Sequence, residues 1–239
     1  MNISKQKNNL AISADDFGAS SIANQNILEL VREGKLDRVS VMPHGSFSQD
    51  ETSFLLRSGV KIDIHLDMQN HIEKERKLQQ GALIRVLFFA KDFLSGKISS
   101  RKIEVLWEKQ IIDFERAFGK YPDGLNSHQH IHFFPPYFKI ILKLAEKFNI
   151  SFLRFGKKSS FSLKPIPFIL NFLRFLDKKH FVKTDLQTTG LMIGADWIRD
   201  FDFEKNAPNI LSRNSEIIFH PERNNEFSFL KNHPKIGNI

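Results

Sequence analysis

Histidines occupy every second position in Ser127-His128-Gln129-His130-Ile131-His132, directly ahead of Phe133-Phe134-Pro135-Pro136. On an extended strand the side chains of residues i, i+2 and i+4 share one face. This short segment can therefore aim up to three imidazoles at one point, an arrangement suited to a divalent metal or a proton relay. The adjacent carboxylates of Asp15-Asp16 follow the apolar run Leu10-Ala11-Ile12-Ser13-Ala14. They point in different directions, so one can bind a metal while the other acts as a base. His65 lies near the end of Val60–Leu66, and His220 sits in Ile218-Phe219-His220-Pro221. An Asp-His-His set leaves coordination positions open for water and substrate, as a catalytic metal requires.

Each of these features has an ordinary structural use. An Asp-Asp pair after a strand is often a turn or a helix cap, and His44, His71, His180 and His233 read as surface or packing residues. What sets the others apart is their shared placement at the ends of expected strands. Leu10–Ala14, Val39–Pro43, Val60–Leu66, Gly124–His128, Ile150–Phe155 and Ser215–Pro221 read as strands from their apolar runs or alternation. Between them lie helical patterns: one after the Ser20-Ser21 cap, ended by Gly34, a short one over Ser53–Arg57 closed by Gly59, a long one from Ser100 to Gly119, and one opened by Pro135-Pro136 that ends near Asn149. Strands alternating with helices imply a parallel sheet, either doubly wound or closed into a barrel, with ligands at the carboxyl ends of the strands. Asp15, Asp16, His65, His128, His130, His132 and His220 should then converge on one rim. The same ligand set occurs in non-haem iron oxygenases, but their β-sandwich scaffold does not fit this pattern.

Composition narrows the chemistry. The chain has 239 residues, enough for one large α/β domain, and neither an internal repeat nor a linker divides residues 1–239. It contains no cysteine, which removes disulfides and thiolate zinc sites and leaves His, Asp, Glu and backbone oxygen as metal ligands. Met1–Asn9 is polar and unlike a secretory signal, and no apolar run approaches a membrane span, so the expected compartment is the cytoplasm. The net charge of +8 comes from scattered lysines, and no nucleic-acid-binding motif accompanies it. The 24 phenylalanines stand against two tyrosines and two tryptophans, and many fall in apolar runs, so they read as core rather than as a base-stacking platform.

Several segments in order carry a specific resemblance. Ser13-Ala14-Asp15-Asp16-Phe17-Gly18 followed by Ile22-Ala23-Asn24-Gln25-Asn26-Ile27-Leu28-Glu29, then Ile64-His65-Leu66, Trp107-Glu108-Lys109-Gln110-Ile111, Asn126–Pro135, Phe152-Leu153-Arg154 and Ile218–Pro221 resemble the YdjC-like carbohydrate deacetylases. That family includes chitooligosaccharide deacetylases and hopanoid-associated members. The resemblance implies an α/β fold, a distorted (β/α) barrel of the glycoside hydrolase/deacetylase type with mostly parallel strands. It also implies metal-dependent removal of an N-acetyl group from an amino sugar, on an oligosaccharide or a lipid-linked glycan. Carried over by position, Asp16, His65 and His128 resemble the metal ligands, Asp15 the catalytic base and His220 the general acid. His130, His132 and Arg154 match positions expected to meet substrate, with Arg154 alternatively orienting Asp15. If the strand alternation holds, His130 faces the site beside His128, whereas a turn beginning at Gln129 would redirect it. The expected cofactor is a divalent cation: two imidazoles favour Zn2+ on ligand chemistry, while Mg2+ is often attributed to the family.

Two departures bear on substrate. Glu222 follows the His-Pro pair where the family usually has glycine, and Asp67-Met68-Gln69-Asn70-His71 replaces a Leu-Thr-rich loop. Alternative readings are hydrolysis of another amide or an ester, or a non-catalytic carbohydrate-binding relative. A further segment, Ser160 to Lys179, is strongly apolar with basic flanks. It reads first as a core-packing barrel helix, and second as a peripheral contact with a membrane surface that would present the protein to a lipid-linked sugar. The partners expected are thus an N-acetylated sugar, no nucleic acid and, on the second reading, a lipid surface, with room left for a homo-oligomer.

Overall fold

The computed structural model describes residues 10–68, 99–159, 165–198 and 214–234. The charged stretch at 73–77, the apolar run at 83–89 and positions 160–164 of the apolar segment lie outside the described residues. Seven strands form one sheet: β1 (Leu10–Phe17), β2 (Arg38–Val41), β3 (Lys61–Leu66), β4 (Leu125–Ser127), β5 (Lys158–Ser159), β6 (Leu191–Gly194) and β7 (Ser215–Phe219). Their spatial order is β4-β3-β2-β1-β7-β6-β5, and every pairing is parallel. Among the described residues six α-helices connect or follow them: α1 (Ser21–Arg32), α2 (Gln49–Ser58), α3 (Ser100–Phe118), α4 (Pro135–Lys147), α5 (Pro165–Phe181) and α6 (Asn224–Asn232).

Sequence neighbours are also spatial neighbours around this sheet, the ordering expected of a barrel. Its two edges approach each other through residues 152–153. Leu153 bridges Leu125 of β4, and Phe152 bridges Gln187 ahead of β6, both parallel. Leu125 and Arg154 donate their N–H groups to the carbonyls of Phe152 and Leu125 at 2.9 Å each. The sheet therefore curls into a distorted (β/α) barrel. The strand expected over Ile150–Phe155 is reduced to these bridges, and regular pairing resumes only at β5, beyond Gly156, which lies at φ 64°.

Alternation along the strands places two chemistries on two faces. Ile12, Ala14, Val39, Val41, Ile62, Ile64, Leu66, Leu125, Ile217 and Phe219 join the apolar core, with Trp107, Ile111 and Phe114 of α3 and Tyr137, Phe138 and Ile141 of α4. Truncating a fully buried aromatic such as Phe114 to Ala is worth about 3–5 kcal/mol of stability. The intervening residues Ser13, Asp15, Ser40, Asp63, His65, Asn126 and Glu216 are polar and equally buried. The polar/apolar alternation read in Val60–Leu66 thus marks a strand buried on both faces, with Asp63 and His65 facing other polar groups.

Local chemistry explains the helix boundaries. The Ser20 hydroxyl accepts the Ala23 N–H at 3.1 Å to cap α1, and Ser48 with Glu51 forms a reciprocal capping box that starts α2 earlier than the apolar pattern suggests. Ser99 caps α3, and Gly119 ends it at φ 66°. The sequence reading passed over β6 and α6. The apolar run Leu191-Met192-Ile193-Gly194 is a short strand of the buried type, hard to tell from a core helix by period alone.

Candidate metal centre and its buried charge network

The two aspartates are brought together by an irregularity in β1. Ala14 pairs with Val39 and Phe17 with Val41, so β1 uses one residue more than β2 across this interval. The extra residue forms a bulge, with Asp16 at φ 70°, a left-handed conformation that Asp tolerates better than most residues. In a regular strand Asp15 and Asp16 would face opposite sides. Here both reach His65: Asp15 Oδ2 is 3.8 Å from Nδ1, and Asp16 Oδ1 is 3.2 Å from Nε2. The loop that follows is held by Asn24, which accepts the Gly18 N–H at 2.6 Å and donates to the Ser46 carbonyl at 2.8 Å. It lies so close to Gly45 that a Cβ there would stand 2.4 Å from the Gly18 carbonyl oxygen.

Asp16 Oδ1 also lies 3.1 Å from His128 Nδ1. One ligand atom from each of Asp16, His65 and His128 falls within 4.8 Å of the other two. The His65 and His128 rings meet edge to face with centroids 5.5 Å apart. Asp16 and His65 are buried, whereas the His128 side chain is 27% exposed, so the cluster opens to solvent on the His128 side. Burial alone would raise the Asp16 pKa, but His128 and His65 hold its carboxyl well below the usual range.

The donor set fits a divalent cation, and the hydrogen bonds behind His65 say why. The Asn126 amide nitrogen donates to Ser40 Oγ at 2.9 Å, which leaves its carboxamide oxygen as the partner of His65 Nδ1. An oxygen acceptor there requires Nδ1 to carry the proton, so in neutral His65 the lone pair is on Nε2, facing the Asp16 carboxylate. Two acceptors in that position repel unless a positive charge lies with them. A cation coordinated by Asp16, His65 and His128 would resolve this, with Asn126 as the group orienting the ligand.

The chain leaves strand geometry directly after Ser127. Gln129 and His130 have φ of 55° and 57°, a left-handed kink that interrupts the tight turn over His128–Phe133. This corrects the expectation of three imidazoles on one strand face, because the alternation ends at the residue where it was meant to begin. His132 is fully buried; its Nε2 donates to the Arg154 carbonyl at 2.8 Å and its Nδ1 accepts from the Ser127 hydroxyl at 2.6 Å. Burial, with the neighbouring Arg154, pushes its pKa down to about 3. Both nitrogens are used, so His132 braces the turn against residue 154, and the expectation that it meets substrate is withdrawn. His130 differs. Its Nδ1 is buried without a hydrogen-bond partner, its ring lies 6.1 Å from that of Trp197, and burial with the nearby His132 holds its pKa well below the ordinary value despite Asp15.

Arg154 is the hub beneath the cluster and is fully buried. One terminal nitrogen donates to both Asp15 oxygens at 2.8 and 2.7 Å, the other to Ser40 Oγ at 3.0 Å, and Nε to Glu216 Oε1 at 2.8 Å. Of its two expected roles the geometry gives the orientation of Asp15, since no part of the side chain reaches solvent. Burial alone would raise the Asp15 pKa; Arg154 first, then His65 and His220, hold it well below the carboxylate range. Ser13 donates to the same Glu216 oxygen at 2.7 Å. Farther along the same polar interior, Arg38 forms a two-pronged pair with the buried Asp63 at 2.8 and 2.5 Å and lies over the Phe152 ring.

His220 stands just beyond β7. Its N–H donates to Glu226 Oε2 at 2.6 Å, and its ring Nδ1 is 3.7 Å from the same oxygen. Burial would lower the imidazole pKa, but Glu226, Asp16 and Asp15 outweigh it and raise it. The turn bearing His220 is tied to the aspartate loop: Asn26 donates to the Pro221 carbonyl at 2.7 Å and Ser20 to Glu222 at 2.8 Å. Glu222, the departure from the family pattern, thus anchors the turn. The Trp107–Ile111 motif has a similar positioning use. Trp107 Nε1 donates to the Asp67 carbonyl at 3.0 Å, while Gln110 donates to the Asp67 side chain at 2.8 Å and accepts its N–H at 3.0 Å, fixing the chain two residues past His65. Sequence reasoning missed Glu216, Glu226 and Asn126 as supporting groups; only Asn126, inside the histidine motif, carried any signal.

Comparison with known proteins matches residues 9–235 to the model of a family described as YdjC-like protein. A chitooligosaccharide deacetylase of Escherichia fergusonii is 27% identical over 163 residues, 66% of this chain and 63% of its own. A carbohydrate deacetylase of Danio rerio is 22% identical over 152 residues, 61% of this chain and 49% of its own. The chain thus spans between about half and just under two thirds of these curated relatives. Among solved structures, a candidate cellobiose-phosphate cleavage protein from Enterococcus faecalis shares the fold, with a TM-score of 0.59 at 19% identity over 88% of this chain and 80% of its own.

Proposed function

The chain belongs to the YdjC-like family, and from that membership and the geometry of its rim we propose that it is a metal-dependent hydrolase removing the N-acetyl group from an N-acetylated amino sugar. The observation that carries this reading is the Asp16–His65–His128 cluster, with His65 Nε2 turned toward the Asp16 carboxylate by Asn126. The naming of its relatives as carbohydrate and chitooligosaccharide deacetylases supplies the substrate class. Two imidazoles and one carboxylate favour zinc over magnesium.

Amide hydrolysis needs a nucleophile stronger than water and relief of charge on the carbonyl oxygen, and a divalent cation, which Asp16, His65 and His128 would hold, would supply both. The chain's own groups handle the protons. Asp15, kept ionised by Arg154, accepts the proton of the attacking water. His220, whose pKa Glu226 and the aspartates raise, is protonated at the start and donates to the departing amine. In this reading His130 meets the acyl or sugar portion of the substrate, supported by its unpartnered Nδ1 and by the Trp197 ring 6.1 Å away. One domain working in the cytoplasm is part of the same reading.

The test is release of acetate from a panel of N-acetylglucosamine oligomers, with and without a chelator, alongside elemental analysis of the purified protein. Acetate release abolished by chelation and restored by zinc supports the proposal. Turnover indifferent to chelation removes the metal from it, and no acetate from any member of the panel removes the substrate class.

A further inference from the structure

Helix α5 is apolar on more than one side. Pro167, Leu170, Leu173, Arg174 and Asp177 form its buried face, and Arg174 there donates to the Phe155 carbonyl and to Asn171 and Ser159. This bears out the core-packing expectation for the described part of the segment. The opposite side is not polar, as it is on an ordinary surface helix. Phe168, Phe172, Phe175 and Leu176 are spaced three, four, seven and eight residues apart along one stripe, and with Val182 just beyond the helix they are 39–77% exposed. Among the described residues nine large hydrophobic side chains are exposed in this way, and these five account for most of them. A concentration of apolar surface on one helix marks a contact face rather than chance exposure.

The charges around it indicate what that face meets. Lys178 and Lys179 occupy the last turn of α5 and are exposed, and Lys183 follows. Partial burial, with the charges of Lys139, Lys179 and Lys183, holds the His180 imidazole below its usual pKa. Asp177, the one acidic residue of the helix, is on the buried side. The stripe therefore ends in a basic cluster, on a chain whose formal net charge is +8. Aromatic side chains entering the acyl boundary beside lysines at the headgroups are the signature of a surface bound to anionic lipid. A second copy would place one basic cluster against another, or leave it unpaired. Because helices in parallel barrels run antiparallel to the strands, the Phe168 end of the stripe is directed toward the rim that carries the metal cluster.

We propose that the exposed Phe168–Phe172–Phe175–Leu176 stripe of α5, with Lys178, Lys179 and Lys183, docks the protein on an anionic lipid surface. Among the described residues no helix is long and apolar enough to cross a membrane, so the contact is peripheral. It does not depend on the deacetylase reading, and its test involves no turnover.

The experiment is co-sedimentation of the full chain with vesicles of phosphatidylcholine containing phosphatidylglycerol, and with vesicles of phosphatidylcholine alone, at low and high salt. The expected result is binding to the anionic vesicles that weakens with salt and is lost in a Phe172→Ser/Phe175→Ser variant. These positions face solvent, so the variant should keep its circular dichroism spectrum. Lys178→Gln and Lys179→Gln should each lower partitioning about fivefold. Absence of sedimentation with anionic vesicles at low salt overturns the proposal. So does a dimer, seen by light scattering, that the two phenylalanine substitutions dissolve, because the stripe then belongs to a second copy.

Discussion

Asn126 takes the Nδ1–H of His65 on its carboxamide oxygen, and the far nitrogen of the same ring stands 3.2 Å from Asp16 Oδ1. The pair sets the ring's tautomer and its direction at once. Removing a hydrogen bond to a ligating histidine typically lowers metal affinity about 10–100-fold. Asn126→Ala is expected to bind zinc within that range more weakly than the parent, by titration against a competing chelator. His65→Ala and His128→Ala should retain no metal after dialysis. Equal zinc affinity in Asn126→Ala and the parent would show that the tautomer is set by something else.

Asp15 offers the converse test, since it approaches His65 without belonging to the ligand set. Asp15→Asn should keep its full metal content while losing roughly 10²–10⁴ in kcat, the usual contribution of a general base. A variant as active as the parent would dispose of the base assignment. One that loses the metal would move Asp15 into the coordination shell.

The sequence reading located these groups by their shared placement at the ends of expected strands, and Asp15, Asp16, His65, His128 and His220 are all found at or just beyond strand ends. It did not foresee how they are aimed. The bulge at Asp16 and the left-handed turn at Gln129-His130 are backbone choices paid for by packing and loop contacts far away in the chain, such as Asn24 to Gly18 and His132 to Arg154. Nor could it see the polar interior, because Glu216 and Asp63 sit in segments whose alternation equally suits a strand with one wet face. The strand at 150–155 was legible from its apolar content but is too short of pairing partners to form a ladder.

Arg154 carries a prediction about stability. Its guanidinium is shared by Asp15 and Glu216, all three being buried, so Arg154→Met strands two carboxylates without a counter-charge. Breaking one member of a buried pair costs about 3–5 kcal/mol, which should appear as a lower midpoint in urea with an unchanged slope. Adding Asp15→Asn and Glu216→Gln to that variant removes both stranded charges and should restore most of the loss. If the single and triple variants unfold at the same urea concentration, the network contributes nothing as charge.

Glu226 should set the alkaline limit of activity. His220 must be protonated to act as the acid, and Glu226, foremost among the neighbouring charges, opposes the effect of burial and raises its pKa. Glu226→Gln keeps an acceptor for the His220 N–H but removes the negative charge, so the His220 pKa falls. The protonated form is then lost at lower pH, and the descending limb of kcat/KM should move to lower pH with the acid limb in place. A pH profile unchanged by Glu226→Gln would mean that His220 does not titrate as the acid.

His130 and His132 lie two residues apart and are predicted to fail in different ways. His132 has both nitrogens committed to Ser127 and Arg154. Its replacement by Ala leaves the Ser127 hydroxyl proton and the buried Arg154 carbonyl without their partners, although Ser127 Oγ still accepts the backbone N–H of residue 132, a loss of about 1–3 kcal/mol for each group left unpaired. His132→Ala should therefore lower the unfolding midpoint. His130 brings an unpartnered Nδ1 to a buried position near Asp15 and Trp197, so His130→Ala removes no internal hydrogen bond at that atom. Thermal unfolding of His130→Ala should match the parent, and its defect should appear as a raised KM or lowered kcat on an N-acetylated substrate at full metal content. A His130→Ala protein with parental kinetics, or one as destabilised as His132→Ala, would end the assignment of His130 to substrate.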